Sequence, residues 1–197
     1  MSKKMIITDV DGVLLRWEEG FSRWMTAKGH GSPKDSKQYS QAKRYDIEQK
    51  EADSFVKQFN ESAWIRYLNP MPLSEKMVEK FRYQNFEFKC LTSLSTDKFA
   101  VQAREDNLTD LYQESITKVI CLETGASKDE ELAKLAKIHP GAYWIEDKPE
   151  NAIAGMKAGF KSILLTQTYN EDFECPEGIL RCPDWYAIFD AIHVFKL

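Results

Sequence analysis

Met5-Ile6-Ile7-Thr8-Asp9-Val10-Asp11-Gly12-Val13-Leu14-Leu15 is the stretch that decides how this chain is read. A short β-branched run stops abruptly at two carboxylates one residue apart, and a glycine follows. Side chains alternate in extended backbone, so Asp9 and Asp11 share a face while Val10 points into the protein. Carboxylates so close repel unless a cation lies between them or one holds a proton. A divalent cation bound through oxygen resolves the repulsion, and Mg²⁺ suits such donors. Gly12 permits a tight turn that keeps both carboxylates at the mouth of the strand. An EF-hand loop also begins Asp-x-Asp, but it needs oxygen ligands downstream, where this chain has Val13, Leu15 and Trp17. The apolar run before Asp9 is also foreign to a solvated loop.

Working outward, short apolar runs alternate with amphipathic stretches. Strands are predicted at residues 5–8, 86–91, 117–122, 142–146 and 161–165. Between them, Met77, Val78 and Phe81 share a helical face, with Ser74 placed to cap. Ser127 and Glu130 have capping-box spacing ahead of Leu132, Leu135 and Ala136. Pro149 suits a first helical position and Gly159 a helix stop. Strands alternating with helices predict an α/β fold, a Rossmann-like, doubly wound parallel sheet. Ligands of such sheets gather at the carboxyl ends of the strands, where Asp9 and Asp11 fall.

Residues 16–69 interrupt the alternation. Trp17, Phe21, Trp24 and Met25 follow helical spacing, as do Ala52, Phe55, Val56 and Phe59, while residues 28–50 are polar. We read a small helical insertion whose aromatic residues form its own core. The division is therefore residues 1–15 and 70–197 as the α/β core, and 16–69 as the insertion. Within 28–50, six Lys/Arg face three Asp/Glu. That excess is a solvated face, or a lure for an anionic substrate.

The 197 residues suffice for one well-buried core, and 43% hydrophobic content is that of an ordinary folded chain. A net charge of −4 argues against broad affinity for nucleic acid or a membrane surface. The four apolar or β-branched residues after Met1-Ser2-Lys3-Lys4 are too few for a secretory segment, and no run approaches a bilayer span. Cys90, Cys121, Cys175 and Cys182 are scattered, without a C-x-x-C pair. A cytoplasmic protein with reduced cysteines is the expectation.

Further strand and helix ends carry the polar groups that phosphoryl transfer requires. The run 86–91 ends at Thr92-Ser93, Lys128 stands at a helix start, and the run 142–146 ends in Glu146-Asp147. Carboxylates bind a cation, while a hydroxyl and an ammonium cancel charge on phosphoryl oxygens. His30, His139 and His193 fall in no catalytic spacing.

Asp9-Val10-Asp11-Gly12, Thr92 after its strand, Lys128 and Glu146-Asp147, in that order, resemble the four motifs of the haloacid dehalogenase superfamily. The resemblance covers residues 5 to about 169 apart from the insertion. The insertion falls where these proteins carry a small helical cap, of the C1 type. Asn69-Pro70-Met71-Pro72-Leu73-Ser74 is similar to members acting on nucleotides and other small phosphate esters. The resemblance implies an Mg²⁺-dependent phosphomonoester hydrolase acting on a small phosphorylated metabolite or nucleotide. Asp9 would attack phosphorus to form an aspartyl-phosphate, and Asp11 would serve as acid and base. Thr92, Ser93 and Lys128 would hold the phosphoryl group. Asp9, the Asp11 carbonyl and Asp147 would hold Mg²⁺, with Glu146 ligating directly or through water.

The sequence departs from the family pattern at Val13, where Thr is frequent, and at Glu146, where Gly or Asp is usual. Lys118 competes for the lysine role, but it begins an earlier strand, whereas Lys128 starts the helix that precedes the Glu146-Asp147 strand, as the resemblance requires. Two other functions share these ingredients. A nucleic-acid 3′-phosphatase would use the same motifs on a larger anion. A receiver-type phosphoacceptor domain would trap phosphate without turnover, but it wants an Asp after the 117–122 run, where Glu123-Thr124 stands.

Overall fold

The computed structural model describes residues 3–194. The first two residues of the N-terminal segment and the last three of the expected core lie outside them. Six strands, β1 (Lys4–Thr8), β2 (Phe86–Thr92), β3 (Ile116–Cys121), β4 (Tyr143–Glu146), β5 (Lys161–Leu165) and β6 (Ile179–Cys182), form one sheet in the order 3-2-1-4-5-6. Every pairing is parallel. The five expected strands are present with ends shifted by a residue or so, which is ordinary fraying of assignment. The sixth, Ile-Leu-Arg-Cys, is too short and too polar at its centre to announce itself.

Alternation along the strands sends apolar side chains to both faces. Ile6, Phe88, Cys90 and Ile145 join one core cluster, and Ile7, Leu91 and Trp144 join another. The first is covered by α4 (Ser74–Tyr83), α5 (Lys98–Tyr112) and α8 (Trp185–Val194). The second is covered by α6 (Asp129–Ile138) and α7 (Pro149–Ala158). A parallel sheet is normally buried on both faces, and here the central strands are, while edge strand β3 is partly exposed. Gly155 lets α7 lie close to the sheet, since a Cβ there would strike the Trp144 indole.

Two capping expectations need correction. Ser74 is the first residue of α4, and its hydroxyl is spent on Met71 O and Tyr112 Oη instead of a cap. Lys128, not Ser127, precedes α6, although the Ser127 hydroxyl still accepts from Asp129 N at 3.2 Å. Both serines bond locally, as short hydroxyl side chains do near helix starts. Pro149 and Gly159 take the positions expected of them, Gly159 with φ of 102°.

Between β1 and α4 the chain is helical: α1 (Trp17–Ala27), α2 (Gln41–Tyr45), α3 (Gln49–Asn60) and a 3-10 turn at Ala63–Tyr67. Its centre is aromatic. Trp17 stacks on Phe21 at 4.8 Å between centroids, and Phe59 meets both rings edge-on at 5.4 Å. Phe21, Trp24, Met25 and Phe59 are buried, so these rings are packing. Asn60 ties the segment to the loop after β2 by donating to Leu94 O at 2.9 Å while accepting from Trp17 Nε1 at 2.8 Å. Among the described residues, no helix is long and apolar enough to cross a membrane.

Candidate active site

The strand order reverses direction between β1 and β4, and a crevice opens at their carboxyl ends. Asp9 follows β1, and Glu146-Asp147 closes β4. Asp9 N donates to Ile145 O at 2.9 Å, extending the β1–β4 pairing right up to the carboxylates. The side chains of Asp9, Glu146 and Asp147 converge so that one oxygen from each lies within 4.8 Å of the others. All three are buried. Gly12 turns away from them with φ of 80°, and any Cβ there would collide with the Asp147 carboxylate. The glycine is therefore required by contact as well as by conformation.

Lys128 reaches this cluster from the start of α6. Its Nζ lies 2.6 Å from Asp9 Oδ2 and 2.9 Å from Glu146 Oε2, and the side chain is buried. Lys118, on β3, is exposed. Burial alone would raise the Glu146 carboxyl, but Lys128 and the backbone N–H groups of Asp147 and Lys148 hold it at about 2. Burial and the Glu146 charge push Asp9 and Asp147 well above the ordinary carboxylate range. Burial would lower the Lys128 ammonium, and its two carboxylate partners outweigh that and raise it. Three buried carboxylates thus have one buried ammonium among them, paired with two of the three, leaving excess negative charge that only protons or another cation can balance.

The donor set is all oxygen, which fits Mg²⁺ better than a metal that prefers nitrogen or sulfur. Glu146 is the least free to ligate, since its oxygens already meet Lys128 and two backbone amides. Asp147 is oriented by the loop after β5. The Tyr169 hydroxyl donates to its Oδ2, and Asn170 Nδ2 donates to its carbonyl at 2.6 Å. The same loop pins the first motif, Gln167 Nε2 donating to Gly12 O at 2.7 Å.

Asp11 stands apart from the cluster. Its Oδ2 lies 3.5 Å from Thr92 Oγ1, and its Oδ1 lies 2.7 Å from Arg104 Nη2. Thr92 is buried at the end of β2, while the Ser93 hydroxyl donates to Ala126 O at 2.9 Å. Ser95 is turned away, donating to Glu61 at 3.0 Å. Asp9, Asp11, Thr92, Ser93, Lys128 and Asp147 all border one cleft of about 1010 Å³. Its opposite wall comes from the helical segment, with Trp17, Glu18, Tyr39, Gln49, Asp53 and Lys57. None of the six cations in residues 28–50 lines it. Arg44 pairs with Glu18 and Lys34 with Asp46, so two of the six are engaged inside the segment. His30, His139 and His193 also lie off the cleft.

Arg104 and Tyr169 are the residues that reading the sequence missed. Tyr169 sits in an irregular loop and carries no signal. Arg104 does: Ala100, Arg104, Leu108 and Tyr112 stand four apart and are all buried. A charge inside an apolar helical stripe marks an unusual partner across the interface.

Among solved structures, a haloacid dehalogenase-like hydrolase from Streptococcus pneumoniae superposes with a TM-score of 0.69, covering 97% of this chain and 99% of its own at 12% identity. This chain has the haloacid dehalogenase-like fold. A D,D-heptose 1,7-bisphosphate phosphatase from B. bronchiseptica, complexed with magnesium and phosphate, gives a TM-score of 0.62 at 14% identity and covers 98% of this chain and 99% of its own. CbbY from Rhodobacter sphaeroides, in complex with phosphate, gives 0.63 at 16% identity, covering 93% and 95%. In sequence, the chain is 29% identical over 153 residues to an uncharacterized 32.4 kDa protein of the Gp30-rIII intergenic region in Enterobacteria phage T4. The match covers 74% of this chain, which spans about half (54%) of that relative's length. No family model matches. The order 3-2-1-4-5-6 also differs from the 2-1-3-4-5 arrangement of a receiver-type domain.

Proposed function

We propose that this protein is an Mg²⁺-dependent phosphomonoester hydrolase that works through an aspartyl-phosphate on Asp9. The observation that carries the reading is the buried group of Asp9, Glu146 and Asp147 around Lys128, set in the crevice between β1 and β4. An oxyanion-handling site needs a nucleophile, a cation and a proton carrier, and one candidate for each borders the cleft.

Asp9 and Asp147, with the Asp11 carbonyl, are the groups that would hold Mg²⁺, and Glu146 would support them through Lys128. When bound, Mg²⁺ offsets the carboxylate charge and the charge on the phosphoryl oxygens. Asp9 Oδ attacks phosphorus, and the bond to the leaving oxygen breaks as Asp11 gives that oxygen its proton. Water then attacks phosphorus, Asp11 takes the proton, and the bond to Asp9 breaks. Splitting the displacement in this way replaces one difficult step by two easier ones. Thr92, Ser93 and Lys128 orient the phosphoryl oxygens and cancel their charge.

Residues 16–69 serve as the cap of this site. A cleft walled by aromatic, amide and charged side chains suits a small phosphorylated metabolite or a nucleotide. The phosphate and magnesium of the heptose bisphosphatase neighbour, and the phosphate of CbbY, support the same chemistry here. Four free cysteines suit a cytoplasmic setting. The test is phosphate release from a panel of nucleotides, sugar phosphates and 3′-phosphorylated oligonucleotides. Release is expected from small esters with Mg²⁺, and none with chelator or in Asp9→Asn. Release only from oligonucleotides would move the substrate to nucleic acid, and no release from any member would overturn the reading.

A further inference from the structure

Arg104 is fully buried in the middle of α5, and it does not border the cleft. Its Nη2 lies 2.7 Å from Asp11 Oδ1, within ion-pair reach but off the line of a hydrogen bond. Its Nε and Nη1 donate no hydrogen bond among the described residues. Asp11 is also the one carboxylate within ion-pair distance of it there. A guanidinium stays charged under all ordinary conditions, and burying it with so few partners is costly. Stability is a poor reason to keep it, because apolar replacements of buried ion pairs are often neutral or stabilising. The α5 stripe supplies apolar neighbours at Ala100 and Leu108, so a methionine would suit the position better if packing were its purpose.

We infer that Arg104 is a positioning residue: it holds Oδ1 of Asp11, so that the proton Asp11 gives to the leaving oxygen is carried on Oδ2. Oδ1 of Asp11 is buried against the guanidinium, while the side chain as a whole is 23% exposed. Anchoring Oδ1 therefore turns Oδ2 toward Thr92 and the cleft, where a leaving oxygen would stand. The arrangement resembles the second group that orients a general base in other hydrolases, with a guanidinium in place of a carboxylate or amide. Asp9 receives its cation from the residue preceding α6 and Asp11 from α5, so the two carboxylates of one motif are set independently. The inference rests on the hydrolase reading, since it gives Asp11 its task.

The experiment compares kcat/KM for an alkyl phosphate and for 2,4-dinitrophenyl phosphate in wild type, Arg104→Met, Arg104→Lys, Asp11→Asn and the Asp11→Asn/Arg104→Met double variant. The dinitrophenolate leaves without a proton, and kcat/KM reports on the first step alone. Positioned acid catalysis is worth ~10²–10⁴, so Arg104→Met should lose ~10²-fold on the alkyl ester and only a few-fold on the activated one. The double variant should fall no further than Asp11→Asn, because residues acting as one unit are not additive. Arg104→Lys keeps a charge with shorter reach and should show a smaller version of the same split, which preserves the test if Arg104→Met does not fold. Parallel losses on both esters, no loss on either, or an additive double variant would overturn the inference while leaving the hydrolase reading intact. A folded wild type inert toward both esters would overturn that reading and this inference together.

Discussion

The carboxyl edge of the sheet and the helical segment above it obey opposite rules. At the edge, Asp9, Glu146, Asp147 and Lys128 are buried together, an arrangement that folding alone does not favour. In the segment, apolar rings fill the centre, and ion pairs such as Arg23–Glu19 and Lys34–Asp46 involve exposed side chains. The edge spends stability on charge, and the segment recovers it from packing. The titratable groups therefore concentrate at the edge, while the segment supplies the opposite wall of the cleft.

The largest break in that contrast is Lys128→Met, which leaves Asp9 and Glu146 buried without their shared ammonium. Removing one partner of a buried pair typically costs ~3–5 kcal/mol, so urea unfolding in chelator should show a loss of that order. Phosphate release should vanish with it. A stable, active Lys128→Met protein would show that the edge does not depend on this cation.

Within the segment, Glu18 is the one carboxylate pushed strongly upward. Burial outweighs the Arg44 partner and lifts its carboxyl to about 7. The unfolded chain ionises Glu18 near its ordinary 4.5, while the fold resists ionisation until about pH 7. Folding stability should therefore fall as pH rises across that window, by up to about 3 kcal/mol from this group. Glu18→Gln should flatten the fall, read by urea unfolding at pH 5 and pH 7.5. An unchanged pH slope would mean that Glu18 is ionised in the fold throughout. The smallest effect belongs to Lys118→Ala, which removes an exposed side chain from β3 and should leave both stability and phosphate release near wild type.

These differences follow what was legible in the sequence. The strand β1 and the placing of Asp9 and Asp11 at its mouth were written in Met5–Gly12, since β-branched residues, alternation and glycine act locally. Lys128 was legible by its place before β4. The segment's helices were legible from aromatic spacing, but the wall that they present to the cleft was not, because polar residues such as Glu18, Gln49 and Asp53 carry no local sign of facing it. The helix α5 was also hidden. Its stripe is interrupted by Arg104 and Asn107, whose burial depends on Asp11 and on the Leu68 carbonyl, far away in sequence. Ser74 and Ser127 misled for a related reason, because a hydroxyl near a helix start has several backbone partners to choose from.

An aspartyl-phosphate on Asp9 is tested most directly by a rapid acid quench during turnover of an aryl phosphate, followed by peptide mass mapping. A phosphoryl group on the peptide carrying Asp9, absent in Asp9→Asn and in chelator, is the predicted result. Turnover with no protein-bound phosphoryl, or with the phosphoryl on another residue, would contradict it.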